Sequence, residues 1–234
     1  SSLAWAGSTT VVVGQGGAPA GFCAGSELFC DDFEGDDTSW DTTPASLDCD
    51  GYDANGDYCD DDTTTVKNGS QSLGVCGQYT QACIEDLSST SAEFYIDYWW
   101  RTTDETSSYG LAIYNATSNW YVLSHYQDSD GTLKVYYANS PSVDSNYAIT
   151  ANTWYHIRIY YKEESDGNNG IVQCWITTNA DFAGDDSDRV INVTNGDTGA
   201  SNDAEEIRLR GNNPSAGKTI NYYDDVKVVS GAPS

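Results

Sequence analysis

The chain has 234 residues, a length that an all-β sandwich commonly fills as one domain, and 38% of them are hydrophobic, enough for a substantial core. Its formal charge is −26, from 36 acidic against 10 basic residues, and no Lys or Arg precedes Lys67. Such a field repels phosphate backbones and anionic headgroups, which excludes nucleic acid as a partner, and no apolar run is long enough for membrane insertion.

From the N-terminus, residues 1–22 read as an arm: the β-branched run Thr9, Thr10, Val11, Val12 and Val13, then a Gly-rich linker from Gly14 to Gly21 of the composition that behaves as flexible coil. A strand with Val on both faces suits a place between sheet and core. The run either covers an edge of its own domain or is donated to a neighbouring molecule's sheet. Residues 23–234 read as one domain. Its seven cysteines, none in a CxxC pair, point to an oxidising compartment. Local pairing is expected within Cys23 and Cys30, Cys49 and Cys59, and Cys76 and Cys83, which leaves Cys174 as a buried thiol. The chain opens on Ser and contains no Met, which reads as a secreted protein whose signal peptide has been removed.

Between Cys49 and Cys59, the residues Asp53, Asn55 and Asp57 have the alternate spacing that begins an EF-hand loop, but Gly56 precedes the third ligand and no Glu closes the loop. The segment is a weak calcium site or a solvated acidic loop. Beyond it, period-2 alternation dominates. In Phe94 to Trp100, Phe94, Ile96, Tyr98 and Trp100 share one face. Strands follow at Tyr109 to Tyr114, Trp120 to Tyr126, Leu133 to Tyr137, Trp154 to Tyr161, Ile171 to Thr177, Glu206 to Arg210 and Ile220 to Val229. Gln127 to Gly131 marks a hairpin. No segment carries a helical stripe. The expected fold is all-β: a two-sheet antiparallel β-sandwich, a jelly roll, with an N-terminal strand-bearing arm.

The segments Leu28 to Glu34, Asn68 to Leu73, Asn152 to Ile157 and Tyr223 to Val228 occur in the order found in concanavalin A-like, laminin-G-like jelly rolls of secreted proteins, which residues 28–229 resemble. The resemblance implies a structural calcium ion held by Asp224, by Asp32 or Glu34, and by the backbone of Gly69. Asp224 has the strand parity of Val226 and Val228, so its carboxylate is expected to point inward, where a hard cation would satisfy it. The alternative partners are Lys227, an arginine or backbone amides. Sequons at Asn68, Asn115 and Asn192 make these three candidates for glycosylation.

Catalytic signals are missing. A glycosidase needs two carboxylates about the scissile bond; the strand matching the laminarinase motif offers only Asp97, and the Arg-, Gln-His- and Tyr-bearing motifs of alginate-lyase jelly rolls are not found. His125 and His156 each lie on a strand and read as sheet-face residues. Tyr95, Trp99 and Arg101 share a face and form a candidate glycan platform, against the plainer reading of aromatic sheet pairing. Carbohydrate-binding modules are usually appended to another domain, whereas this sequence reads as one domain and an arm. The expectation is therefore no enzyme but a structural or adhesive subunit of an extracellular filament or matrix, a homo-oligomer assembled by strand donation. A carbohydrate-binding module that takes extracellular glycans is the alternative, and an atypical glycan lyase or hydrolase comes third.

Overall fold

The structure, a computed structural model, describes residues 22–23, 25–34, 57–77, 83–104, 108–116, 120–138, 142–164, 169–183, 186–199, 203–211 and 220–233. Alternating apolar side chains fold these segments into strands β1 (Phe29–Asp31), β2 (Asp57–Asp62), β3 (Ser72–Gly77), β4 (Cys83–Ser91), β5 (Glu93–Thr102), β6 (Ser108–Asn115) and β7 (Trp120–Gln127). They continue with β8 (Thr132–Tyr137), β9 (Val143–Ala148), β10 (Tyr155–Lys162), β11 (Gly170–Thr177), β12 (Arg189–Gly196), β13 (Ala204–Leu209) and β14 (Ile220–Ser230).

The larger sheet runs β12-β11-β10-β5-β14-β3-β2, with β1 added on β14, and the smaller runs β4-β13-β6-β7-β8-β9. All pairings are antiparallel. The two sheets stack as an all-β jelly-roll sandwich. Phe94, Ile96, Tyr98 and Trp100 of β5 turn as expected into the core, where Ile157, Ile159 and Tyr161 of β10 and Ile113, Leu123 and Ile207 of the smaller sheet join them. Burial of these large side chains is the main stabilising term.

The hairpin after β7 closes as its Asp/Gly sequence predicts: Gly131 takes a φ of 81°, and its amide donates to the Asp128 carbonyl at 2.8 Å. β14 is less regular. Asp224 lies opposite Trp99 and Lys227 opposite Asp97, with a bulge between them and Asp225 at a φ of +48°. The bulge resets the alternation. Val226 and Val228 face the core, but Asp224 shares the outward side of Trp99. The parity argument for an inward Asp224 fails for this reason.

The Cys23–Cys30 disulfide is formed, Cys83 is also disulfide-bonded, and Cys174 is a buried free thiol. The side chains of Cys49, Cys59 and Cys76, the arm from Thr9 to Val13, Asp53, Asn55 and the side chain of Asp57 lie outside the described residues.

Candidate functional site

The face of the smaller sheet turned away from the core gathers the site. Register fixes its occupants, because directly paired residues share a face. Arg208 of β13 lies opposite Ala112 of β6, and Glu206 opposite Tyr114. Ala112 lies opposite Ser124 of β7, Tyr109 opposite Tyr126, and, past a bulge, Tyr114 opposite Tyr121. Ser124 in turn lies opposite Tyr136 of β8, and Tyr126 opposite Lys134. The result is a trough running across the strands. Small residues, Ala112 and Ser124, form its middle row, with Tyr114 and Tyr121 along one side and Tyr109 and Tyr126 along the other.

Arg210, just beyond β13, lies across the floor. Its Nε donates to the Gly110 carbonyl at 2.7 Å, its Nη2 to Ser124 Oγ at 2.5 Å and to the His125 carbonyl at 3.2 Å, and its Nη1 to the Tyr121 hydroxyl at 3.5 Å. The guanidinium carbon sits 5.2 Å from the Tyr109 ring centre and 5.5 Å from that of Tyr121. Arg210 is 1% exposed, yet every hydrogen-bond acceptor found for it is a neutral oxygen, and among the described residues it has no carboxylate partner. Its neighbour Arg208 is neutralised by Glu206 and stacks 3.6 Å from the Tyr114 ring centre. Burial, and then the hydrogen bond to Tyr121, push the Tyr114 hydroxyl well above its usual pKa, so Tyr114 keeps its proton and donates it to Tyr121 oxygen. Tyr121 thus receives hydrogen bonds from two sides and remains half-buried. Among the described residues this gives the trough one uncompensated positive charge, at Arg210, beside a half-buried phenol.

The histidines stand elsewhere. His125 faces the core, where its Nδ1 meets the Tyr98 hydroxyl at 2.6 Å and the Leu111 amide at 3.1 Å; burial, and then the charge of Arg210, hold it well below its usual pKa, hence neutral. His156 lies on the outer face of the larger sheet and bonds Asp97, which also takes both Nε and Nη2 of Arg158. Burial alone would raise Asp97, but the hydrogen bond and charge of His156, followed by Arg158, outweigh it and hold the carboxyl below 3.8. This ion cluster neutralises itself. Tyr95, Trp99 and Arg101 share that outer face. Trp99 is 4% exposed, with His156 stacked at 4.7 Å and Lys67 Nζ at 4.0 Å from its ring centre, so it leaves no bare ring. Arg101 bonds the Asn152 side chain at 3.1 Å.

The acidic residues expected to hold calcium converge only in part. Glu34 accepts from the Ser70 amide and hydroxyl, each at 2.7 Å, and from the Gln71 amide at 3.2 Å. These bonds, led by the Ser70 hydroxyl, overcome burial and hold it below its usual value. A Cβ at Gly69, where φ is +68°, would stand 1.8 Å from Glu34 Oε1, so only glycine admits this approach. Asp224 Oδ2 accepts from the amides of Lys67 and Asn68, both at 3.0 Å, and Asn68 Nδ2 reaches Asp225 Oδ2 at 2.5 Å. The Oδ1 atoms of Asp224 and Asp225 are buried with no protein partner. Burial raises both carboxyls, Asp224 to about 7. The charges of Asp32 and Glu34 reach Asp225. No group of three or more metal-ligating His, Cys, Asp or Glu side chains occurs among the described residues. Of the sequon residues, Asn115 is buried and bonds the Asp203 carbonyl at 3.2 Å, whereas Asn192 is exposed and accepts from Gln173 at 2.8 Å.

No protein-family model matches the chain, and no curated protein does. Solved structures do. The endo-β-1,4-glucuronan lyase of the fungus Trichoderma reesei aligns with a TM-score of 0.64 at 15% identity, over 87% of this chain and 95% of its own. The cellulose induced protein Cip1 aligns with a TM-score of 0.56 at 16% identity, over 88% of this chain and 100% of its own. The alginate lyase of the marine Aplysia kurodai aligns with a TM-score of 0.50 at 10% identity, over 74% of this chain and 87% of its own. At these identities the likeness shows the fold alone, a β-sandwich jelly roll. It also corrects the leading expectation: the fold is shared along most of its length with polysaccharide lyases, so the readings as a non-catalytic, strand-donating subunit and as no enzyme are withdrawn. Arg208, Arg210, Tyr114 and Tyr121 were not singled out from the sequence. The signal was present, since alternation in Ile207 to Arg210 already sets both arginines on one face.

Proposed function

We propose that this protein is a secreted polysaccharide lyase that cleaves a uronate-containing chain by β-elimination in the trough of the smaller sheet. The observation that carries the reading is Arg210: a buried guanidinium with only neutral acceptors, bonded to the Tyr121 hydroxyl. A buried charge without an ion partner is costly, and a substrate carboxylate bound above it would offset that cost. Arg210 then acts as a positioning residue through Tyr121 and Ser124, and its field favours the negative charge that spreads onto the carboxylate as the proton leaves. Tyr121 enters the reaction as the phenolate, its oxygen held by the Arg210 guanidinium and the Tyr114 hydroxyl, and takes the proton from C5 of the uronate. The electron pair forms the C4–C5 double bond, the C4–O4 bond breaks, and the proton passes from Tyr121 to O4, with no water consumed. The fold neighbours that act on glucuronan and alginate support a uronate as the substrate class. The Cys23–Cys30 disulfide supports an extracellular location.

Calcium belongs to the same proposal as a structural ion. The two unpartnered buried oxygens of Asp224 and Asp225, near Asp32 and Glu34, suit a hard cation that completes its shell with backbone carbonyls and water.

Kinetics of two variants test the lyase reading. Tyr121→Phe is expected to lower kcat by about a hundredfold, the usual contribution of a proton-transfer group, with KM little changed. Arg210→Lys keeps the charge but loses the fork of hydrogen bonds and should also lower kcat. Undiminished release of unsaturated ends by folded Tyr121→Phe would place the chemistry elsewhere.

A further inference from the structure

The trough does not end at Ser124. Tyr136, directly opposite it on β8, is 40% exposed and is the one exposed large hydrophobic side chain among the described residues. Its ring is stacked on Tyr126 with centroids 4.8 Å apart and planes 18° from parallel. The two hydroxyls are hydrogen-bonded as well; burial first, opposed by a hydrogen bond to Ser142 and then supported by this one, leaves Tyr126 at about 12. Tyr136 is therefore fixed in orientation by Tyr126, its diagonal neighbour on the adjacent strand, so covering its other face costs little further side-chain entropy.

A single exposed aromatic ring is ordinary on a protein surface. The register of this one is not incidental: it closes the same row of small residues that begins at Arg208, through Ala112 and Ser124. The charge around it is spent, because Lys134 is paired with Asp128, Asp130 and Asp144. Among the described residues this end of the trough offers no free cation to a carboxylate, only a flat apolar ring, which matches the C–H face of a pyranose. From β13 to β8 is three strand spacings, roughly 14 Å, which gives room for about three sugar rings.

We infer that Tyr136 is a sugar-stacking platform, so that the ligand of this site is an oligomeric stretch gripped at both ends of the trough rather than a single uronate. The inference rests on the proposed function and adds the length of chain the site recognises. It also separates two kinds of recognition: the carboxylate is read beside Tyr121 and Arg210, while the ring on Tyr136 is held by shape, whether it is charged or neutral.

Titration calorimetry with β-1,4-linked diglucuronate and tetraglucuronate tests it in the Tyr121→Phe protein, which should bind without cleaving, alone and combined with Tyr136→Ala or Tyr136→Phe. Adding Tyr136→Ala should weaken the tetramer by roughly tenfold, the effect of about 1.4 kcal/mol, and leave the dimer unchanged; adding Tyr136→Phe, which keeps the ring, should leave both unchanged. An unchanged tetramer affinity with Tyr136→Ala, or an equal loss for dimer and tetramer, overturns the platform and leaves the lyase reading standing. Binding of neither glucuronate overturns the platform, and the lyase reading falls with it if the wild type also releases no unsaturated ends from glucuronan or alginate.

Discussion

Asp97 shows how much of one face is held by a single carboxylate. It lies buried, bridging His156 and Arg158, and these partners hold its pKa below 3.8 against the burial that would raise it. A depressed carboxyl contributes stability that is present above its ordinary value and lost as pH falls through its folded value. Asp97→Asn should therefore cost about 3 kcal/mol at neutral pH, the usual effect of breaking a buried pair. It should also flatten the loss of stability below pH ~4. Urea melts of both proteins across the acid range check this; parallel acid limbs would show that Asp97 is not linked to the transition. Asp97 itself was visible in the sequence as the lone acidic residue of the run Phe94 to Trp100, but its partners were not, since cross-strand pairing depends on register. The same limit hid Tyr121, whose neighbour Tyr114 comes from β6 and whose neighbour Arg210 lies just beyond β13.

At the scale of elements, strict alternation was legible and its interruptions were not. β5 buries Phe94, Ile96, Tyr98 and Trp100 as the period-2 pattern requires. β14 carries a bulge between Asp224 and Lys227, and nothing in the run Tyr222 to Val229 announces it, so strand parity sets Asp224 on the wrong side. The turn sequence after β7 was plain, yet the role of Lys134 was not. It holds Asp128 at 2.5 Å and Asp130 and Asp144 at 3.3 Å each, tying β8 to the turn and to β9. Removing it leaves three carboxylates facing one another. Lys134→Gln should lower the melting temperature, and by less at high salt, because added ions screen the repulsion among carboxylates at the surface. A melting temperature unchanged at low salt would show that the cluster contributes nothing.

For the whole molecule, the charge of −26 pointed away from an anionic ligand, while the trough shows a positive charge at Arg210 beside tyrosines. Net charge describes the surface as a sum; the site depends on where one unpaired cation is placed. The same excess of carboxylate bears on calcium. If Asp224 and Asp225 hold an ion that the unfolded chain does not bind, a hundredfold excess over Kd adds about 2.7 kcal/mol. For a domain of this size that is a shift of roughly 5–10 °C in Tm, which excess chelator should abolish. Identical melting curves with calcium and with chelator would remove the ion from the account.

The lyase reading is tested most directly by the ultraviolet absorbance of unsaturated uronate while the wild-type protein is incubated with β-1,4-glucuronan or alginate, alongside neutral cello-oligosaccharides. The account predicts that the chromophore accumulates with a uronate polymer and not with the neutral sugars, in step with chain shortening. Folded protein that yields no chromophore from either polyuronate, or that shortens them without unsaturation, would contradict it.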